Sequence, residues 1–353
     1  MELSDQQQTI VRTAAPRIIV NSAPASGKTR VLTERINYLL EQGADPKGIV
    51  AITFTVSAST EMVDRLGDKS KGAFIGTVHA YANYLLRSRG IDTSILLDDE
   101  KFDLLFPLVK QHPECIRPVK YLLLDEAQDS TPEQFEFLLD MIKPENFMLV
   151  GDYRQSIFRW AKADPQFLIN LSRQPDVVTY DLNENYRNGQ SILSYAKSII
   201  QLAGYEYLDE STPMREEAGR VIVTDYKPKI LAQSIAAWGE YKDWFVLTRT
   251  NDQIDEFTQY LTEYNVPCDT FKRSQINNKE LYERLQGDKV KVLTIHTSKG
   301  LEAKNVMVIG AKFYNLEEKC ISYVAATRAR DLLVWTKAPT KPCRPKDITN
   351  WES

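Results

Sequence analysis

Apolar residues in this chain fall into short dense runs, separated by longer stretches in which they recur every three or four positions. Ten runs read as strands: Arg17 to Asn21, Gly48 to Thr55, Tyr121 to Leu124, Phe147 to Val150, Val177 to Leu182, Arg220 to Asp225, Trp244 to Thr248, Val290 to Ile295, Asn305 to Ile309 and Asp331 to Trp335. Near-continuous apolar runs alternating with helical periodicity predict parallel sheets flanked by helices, an α/β fold. The clearest helix start is Thr131-Pro132-Glu133-Gln134, with a capping threonine, a proline at the first helical position and a glutamine three residues after the cap. Behind it, Phe135, Phe137, Leu138, Leu139 and Ile142 fit one buried face. Ten strands exceed one comfortable doubly wound sheet, so the chain is divided near residue 178 into domains 1–178 and 179–353.

Length agrees with that division, because 353 residues suggest two or three domains at ~100 to 200 residues each. A composition of 43% hydrophobic and 26% charged residues is that of a globular protein with a sizeable core. No run approaches the ~18 apolar residues of a membrane span, and no early run resembles a signal peptide, so a cytoplasmic protein is expected. The formal charge of −4 disfavours a protein that holds nucleic acid mainly by neutralising phosphates over its whole surface. Any such grip has to be local. Cys115, Cys268, Cys320 and Cys343 lie far apart and unpaired with His79, His112 or His296, so neither a zinc site nor a disulfide framework is indicated.

Chemistry enters at Ser22-Ala23-Pro24-Ala25-Ser26-Gly27-Lys28-Thr29. A strand precedes it, and a helix bearing Val31, Leu32, Ile36, Leu39 and Leu40 follows, which is the context a phosphate loop requires. Backbone N–H groups at the helix start would cradle phosphates, Lys28 would reach the β and γ oxygens, and Thr29 would ligate magnesium. Ser22 stands in place of the usual first glycine, and Pro24 removes one N–H donor. Leu122-Leu123-Leu124-Asp125-Glu126 then places two carboxylates at the end of a second apolar strand, where ligands of open α/β sheets bind. Asp125 can hold magnesium, and Glu126 can orient or deprotonate an attacking water. ATP and Mg²⁺ are the implied cofactors.

Taken in order, the motifs from Leu3 to about Trp335 resemble those of the UvrD, Rep and PcrA group of superfamily-one DNA helicases. Leu3-Ser-Asp-Gln-Gln7 is similar to the adenine-reading motif, with Gln7 in the reading position, and Arg30 matches a nucleotide-contacting arginine. Thr53-Phe54-Thr55 and Gly76-Thr-Val-His79 resemble two DNA-contacting motifs. Val150 to Trp160 resembles the motif that links the γ-phosphate, through Gln155, to a base-stacking aromatic, Trp160, with Phe158 as a second stacking candidate. In Asn185-Tyr186-Arg187 the tyrosine would stack on adenine and the arginine would reach the γ-phosphate. Arg249-Thr-Asn251 and the run Thr294-Ile-His296 through Glu302 match DNA-contacting and coupling motifs, with Glu302 on the nucleotide side; Arg328 matches a second arginine finger.

The resemblance implies two RecA-like P-loop NTPase domains with the ATP site in the cleft between them. It also implies single-stranded DNA as partner, 3′-to-5′ polarity, and a role in replication, repair or recombination, for an expected monomer. The chain departs from the group in carrying only a short remnant of one accessory domain, at about 91–118, and almost none of the other, at about 272–288. The stretch after Asp331 is also short for the strand-separating hairpin. A protein partner could replace the missing parts. Val56, Ser57, Val78 and Ala161 thin the expected DNA contacts. Three activities therefore stay open: a minimal ATP-dependent helicase and translocase, a translocase that strips proteins without unwinding duplex, and a nucleotide-switched DNA-binding protein.

Overall fold

The computed structural model describes residues 2–201, 209–272 and 284–337. Most of the expected 272–288 remnant, the tail beyond Lys337 and Cys343 lie outside the described residues. The chain forms two compact units. The first runs to Tyr186 and takes back the described part of Tyr207–Met214, and the second begins at Arg187.

The first unit is built on a six-stranded sheet of β1 (Arg17–Ser22), β2 (Ile49–Ile52), β3 (Phe74–Gly76), β4 (Tyr121–Leu124), β5 (Asn146–Gly151) and β6 (Val178–Leu182). The strands are parallel, in the order β3-β2-β4-β5-β1-β6. The apolar runs of the inner strands β1, β2, β4 and β5 are explained by burial on both faces. Alternate residues point to opposite sides, so Ile19, Val50, Ile52, Leu122, Leu124 and Leu149 pack with Tyr81, Leu85, Phe106 and Phe137 on one face. Ile18, Val20, Ala51, Leu123, Met148 and Val150 pack with Ile10, Val31, Leu32 and Ile36 on the other. The predicted cap at Thr131 is present as a capping box with Gln134, and the helix it starts continues into a π-helical turn, Glu136–Met141.

Two findings bear on the expected domain organisation. The division expected near 178 falls at Tyr186/Arg187, because β6 pairs with β1 in register Ile19↔Thr179 and so completes the first sheet. The 91–118 segment forms the helices Ser94–Asp98 and Leu105–Gln111, and Leu105, Phe106, Val109 and Cys115 are buried in the core of the first unit.

After β6, a two-residue strand β7 (Glu184–Asn185) pairs with β8 (Thr212–Pro213), reached only after the chain has made the helix Gln190–Gln201 of the second unit. The returning segment is fixed at Asp209, whose carboxylate lies 3.3 Å from Arg154; Arg154 also donates to Asp152 at 2.7 Å, and all three side chains are buried.

The second unit holds a parallel sheet of β9 (Arg220–Asp225), β10 (Trp244–Thr248), β11 (Cys268–Phe271), β12 (Val290–Thr294), β13 (Ala303–Ile309) and β14 (Ala329–Lys337), in the order β11-β12-β10-β13-β14-β9. Trp244, Val246, Val292, Met307 and Ile309 pack against Ile254, Phe257 and Leu261 of the helix Asn251–Glu263. No helix among the described residues is long and apolar enough to cross a membrane.

Candidate functional site

In the first unit β1 and β4 flank β5, so the loops that leave their carboxyl ends converge. β1 ends at Ser22, and the loop passes into the helix Lys28–Glu41 through Gly27, whose φ of 83° lies in the left-handed region that favours glycine. Ala25 also has a positive φ, 56°, a conformation that costs a residue with a Cβ on the order of 1 kcal/mol.

Neighbouring elements hold this shape. The Ser22 hydroxyl donates to the Gly151 carbonyl at 3.1 Å, and Ala23 N–H donates to Leu182 at 2.8 Å. The Pro24 carbonyl accepts from Asn185 Nδ2 at 2.9 Å, the Ala25 carbonyl from Tyr186 N–H at 3.1 Å, and the Ser26 carbonyl from Gln7 Nε2 at 3.0 Å. With these carbonyls engaged and the first N–H groups of the helix lacking intrahelical acceptors, the loop is shaped to take an anion. Ser26 Oγ is buried and has no hydrogen-bond partner among the described residues, so a hydroxyl inside the loop is left to meet one.

Lys28, Thr29, Asp125 and Glu126 gather beside this loop. Thr29 Oγ1 donates to Asp125 Oδ2 at 2.9 Å, and Lys28 Nζ lies 3.8 Å from Glu126 Oε1. Burial raises the Asp125 pKa to about 6, the Glu126 charge adds to the rise, and Lys28 opposes it. Glu126 takes a left-handed backbone, φ 49°, and its carboxylate accepts from Gln128 Nε2 at 2.6 Å. Gln128 Oε1 in turn accepts the Asp152 N–H at 2.9 Å, and Asp152 accepts from Gln155 Nε2 at 2.8 Å. A Cβ at position 151 would stand 2.5 Å from Gln128 Oε1, so glycine there is what lets the relay pass. Thr29 and Asp125 supply the hard oxygen donors that magnesium prefers, and the residues present fit both ATP and the metal.

The remaining nucleotide candidates divide by unit. Gln7 is buried, with Oε1 accepting from Ser4 N–H, and Arg30 is half-buried in the first turn of the loop helix. Tyr186 presents an exposed ring, and its hydroxyl donates to Glu184 at 2.8 Å. In the second unit, Arg187 donates to Glu302 at 2.5 Å and to the Thr327 carbonyl at 3.1 Å. Burial would raise the Glu302 pKa, but Arg187 and its hydrogen bond hold it below its ordinary value. Arg328 is buried, donating to the carbonyls of Val324 at 3.0 Å and Leu301 at 3.2 Å.

Among the DNA candidates, Phe54 stacks on Phe158 with ring centroids 5.1 Å apart, and Trp160 meets Phe158 edge-on at 6.2 Å. Phe54 and Trp160 are 38% and 49% exposed and Phe158 only 5%, so Phe158 is the floor under two open aromatics rather than an open platform. Thr53 is buried, its hydroxyl turned to the Thr55 carbonyl at 2.9 Å. His79 stacks on Phe106 at 5.1 Å and lies 3.3 Å from Asp103, so the 91–118 segment covers part of it. In the second unit Arg249 makes a two-pronged contact with Glu318 at 2.7 and 3.0 Å, Asn251 opens its helix on an exposed face, Thr294 pairs with Thr297 at 2.9 Å, and His296 is half-buried.

Sequence reading missed Gln128, Asp152 and Asn188. Asn188 is wholly buried and donates to the Thr327 and Ala329 carbonyls, fixing the backbone beside Arg187. The signal available was the proximity of each to a motif, which does not separate a buried polar brace from a solvated turn.

Two family models match parts of the chain. Residues 3–104 and 105–176 match the model of the UvrD/REP helicase N-terminal domain, and residues 269–340 match that of the UvrD-like helicase C-terminal domain. Rep, an ATP-dependent DNA helicase of Escherichia coli, is 25% identical over 76% of this chain and 55% of its own length. A probable DNA helicase II homolog of Mycoplasma capricolum is 24% identical over 75% of this chain and 51% of its own, and the ATP-dependent DNA helicase PcrA of Leuconostoc citreum is 24% identical over 80% and 51%. The chain thus spans about half the length of the curated relatives it matches.

Proposed function

This chain belongs to the UvrD/REP helicase family, and from that premise we propose that it is an ATP- and magnesium-dependent motor on single-stranded DNA. It translocates 3′-to-5′ and separates duplex in replication, repair or recombination, as a monomer in the cytoplasm. The observation that carries the reading is the convergence of Lys28, Thr29, Asp125 and Glu126 on a loop whose carbonyls are already engaged elsewhere.

In the proposed reaction Lys28 leaves Glu126 for the β and γ oxygens, and Glu126, steadied by Gln128, takes the proton of the attacking water. Magnesium, held by Thr29 and Asp125, would neutralise charge on the phosphate oxygens. Gln155 exchanges its bond to Asp152 for one near the γ-phosphate, which ties nucleotide state to the segment carrying Phe158 and Trp160. Arg187 and Arg328 act as fingers, with a rate effect on the order of 10³-fold. Both exchange their present Glu302 and carbonyl partners to do so. Phe54 and Trp160 stack bases at ~1 to 3 kcal/mol each, an affinity that does not depend on net positive charge. Arg249, Asn251, Thr294 and His296 contribute further contacts from the second unit.

Steady-state ATP hydrolysis with and without single-stranded DNA tests this reading. Strong stimulation that disappears in Lys28→Ala supports it. Slow, DNA-insensitive turnover sinks it in favour of a nucleotide-switched binding protein.

A second reading, translocation and protein stripping without unwinding, is favoured by the burial of Leu105, Phe106 and Val109 in the core of the first unit, where relatives would carry an accessory domain. Displacement of streptavidin from single strands without release of a tailed duplex would select it. A protein partner that supplies the accessory function would restore unwinding.

A further inference from the structure

A single carboxylate oxygen sits where three parts of the nucleotide site meet. Glu184 Oε2 accepts from the Tyr186 hydroxyl at 2.8 Å and from the hydroxyl of Ser4. Ser4 caps the helix Asp5–Arg12, and its reciprocal bonds with Gln7 fix that glutamine, whose Nε2 reaches the Ser26 carbonyl of the phosphate loop at 3.0 Å. The strand that carries Glu184 is itself pinned on both sides. Asn183 N–H donates to Gln6 Oε1 at 3.2 Å, and Asn185 and Tyr186 hold the Pro24 and Ala25 carbonyls. Tyr186 would otherwise be free to swing, because its ring is 37% exposed and its hydroxyl is the far end of a long lever. A charged acceptor makes the stronger class of hydrogen bond, so Glu184 is suited to hold that lever.

We propose that Glu184 is the positioning residue of the purine site, locking the Tyr186 ring to the capped start of the helix that presents Gln7. The inference rests on the reading of Tyr186 and Gln7 as the adenine contacts. It adds a residue that touches neither base nor phosphate and acts through the tyrosine. Recognition of the purine face by Tyr186 and of its edge by Gln7 is then set by one shared oxygen, and selectivity for adenine over guanine depends on it.

The test is the steady-state KM and kcat for ATP and for GTP with single-stranded DNA present, in wild type, Glu184→Ala, Glu184→Gln, Tyr186→Phe and the double variant Glu184→Ala/Tyr186→Phe. In Glu184→Ala the KM for ATP rises about tenfold, the scale of one charge-assisted hydrogen bond, while kcat falls less than KM rises and the preference for ATP over GTP narrows. Glu184→Gln, which keeps an acceptor oxygen, recovers most of the loss. The double variant is no worse than the more affected single variant, because both remove the same bond. An unchanged KM and base preference in Glu184→Ala, or a fall in kcat and thermal stability that Glu184→Gln does not rescue, would overturn the proposal and leave the motor reading intact. Absence of ATP hydrolysis in the wild type would overturn both.

Discussion

Thr29 donates its hydroxyl to Asp125 at 2.9 Å, joining residues 96 positions apart into one oxygen-rich corner. Lys28 and Glu126, each adjacent in sequence to one member of that pair, face each other across 3.8 Å. A lysine and a carboxylate that already balance each other's charge can part when a phosphate arrives, so neither is stranded in the half-buried site.

Lys28→Ala and Glu126→Gln separate the two roles. Lys28→Ala loses nucleotide affinity and turnover together. Glu126→Gln keeps nucleotide binding and lowers DNA-stimulated turnover by roughly 10²-fold or more, the range of a lost general base. Nucleotide binding by fluorescence beside steady-state hydrolysis checks both, and full turnover in Glu126→Gln would remove it from the mechanism.

Asp125 carries a pH signature. Its pKa is raised to about 6 in the folded chain, so between the ordinary carboxylate pKa and that value the folded state binds the proton that the unfolded state has released. Stability from this group is therefore present at low pH and declines as pH rises toward 6. Asp125→Asn removes the decline, and the variant should exceed wild type by on the order of 1 kcal/mol at pH 7.5 and by little near pH 4. Thermal melts across that range decide it; a difference that does not change with pH contradicts the assignment.

Phe158 and Trp160, two residues apart, should fail in opposite ways. Trp160→Ala weakens binding to an oligothymidine strand by ~1 to 3 kcal/mol with little change in melting temperature. Phe158→Ala, by emptying a buried position under Phe54, costs ~3 to 5 kcal/mol of stability. Equal effects of the two substitutions on both measurements would show that the difference in exposure has no consequence.

Ala25, at φ 56°, supports a simple backbone test. Ala25→Gly relieves the left-handed strain and should raise stability by about 1 kcal/mol or less, while Ala25→Val, branched at Cβ, lowers it. Chemical denaturation measures both, and a destabilised glycine variant would mean that the loop relies on a less mobile unfolded chain.

Much of the fold was legible because inner parallel strands buried on both faces must be apolar throughout, and each of the ten runs contains a strand, the more exposed edge strands β6 and β9 included. Phe74–Gly76, Cys268–Phe271 and the two-residue β7 and β8 escaped notice because they are short and only partly buried. The edge strand β6 was read as a strand but assigned to the wrong side of the division, since periodicity reports an element and not its neighbours. The meeting of the Ser22–Thr29 loop with the Asp125-Glu126 pair was legible from residue type and spacing. Phe158 was not, because an aromatic that supports a stacking surface and one that forms it look alike in sequence. Arg328 is matched to a finger by its motif, and in the second unit its guanidinium donates to the carbonyls of Val324 and Leu301 and to the Thr327 hydroxyl, a packing that the motif does not reveal.

The return of the chain at Asp209–Met214 bears on how such a protein can be cut or recombined. The described first unit is not one uninterrupted stretch of sequence, because β8 and the carboxylate facing Arg154 arrive from beyond the helix Gln190–Gln201. A crossover or a protease cleavage after Tyr186 would separate Arg154 from one of its two buried counter-charges and β7 from its pairing strand. A heritable exchange between relatives with its junction after Tyr186 therefore has to find a compensating acid and a pairing strand elsewhere, while one with its junction after Met214 takes the helix Gln190–Gln201 away from the second unit.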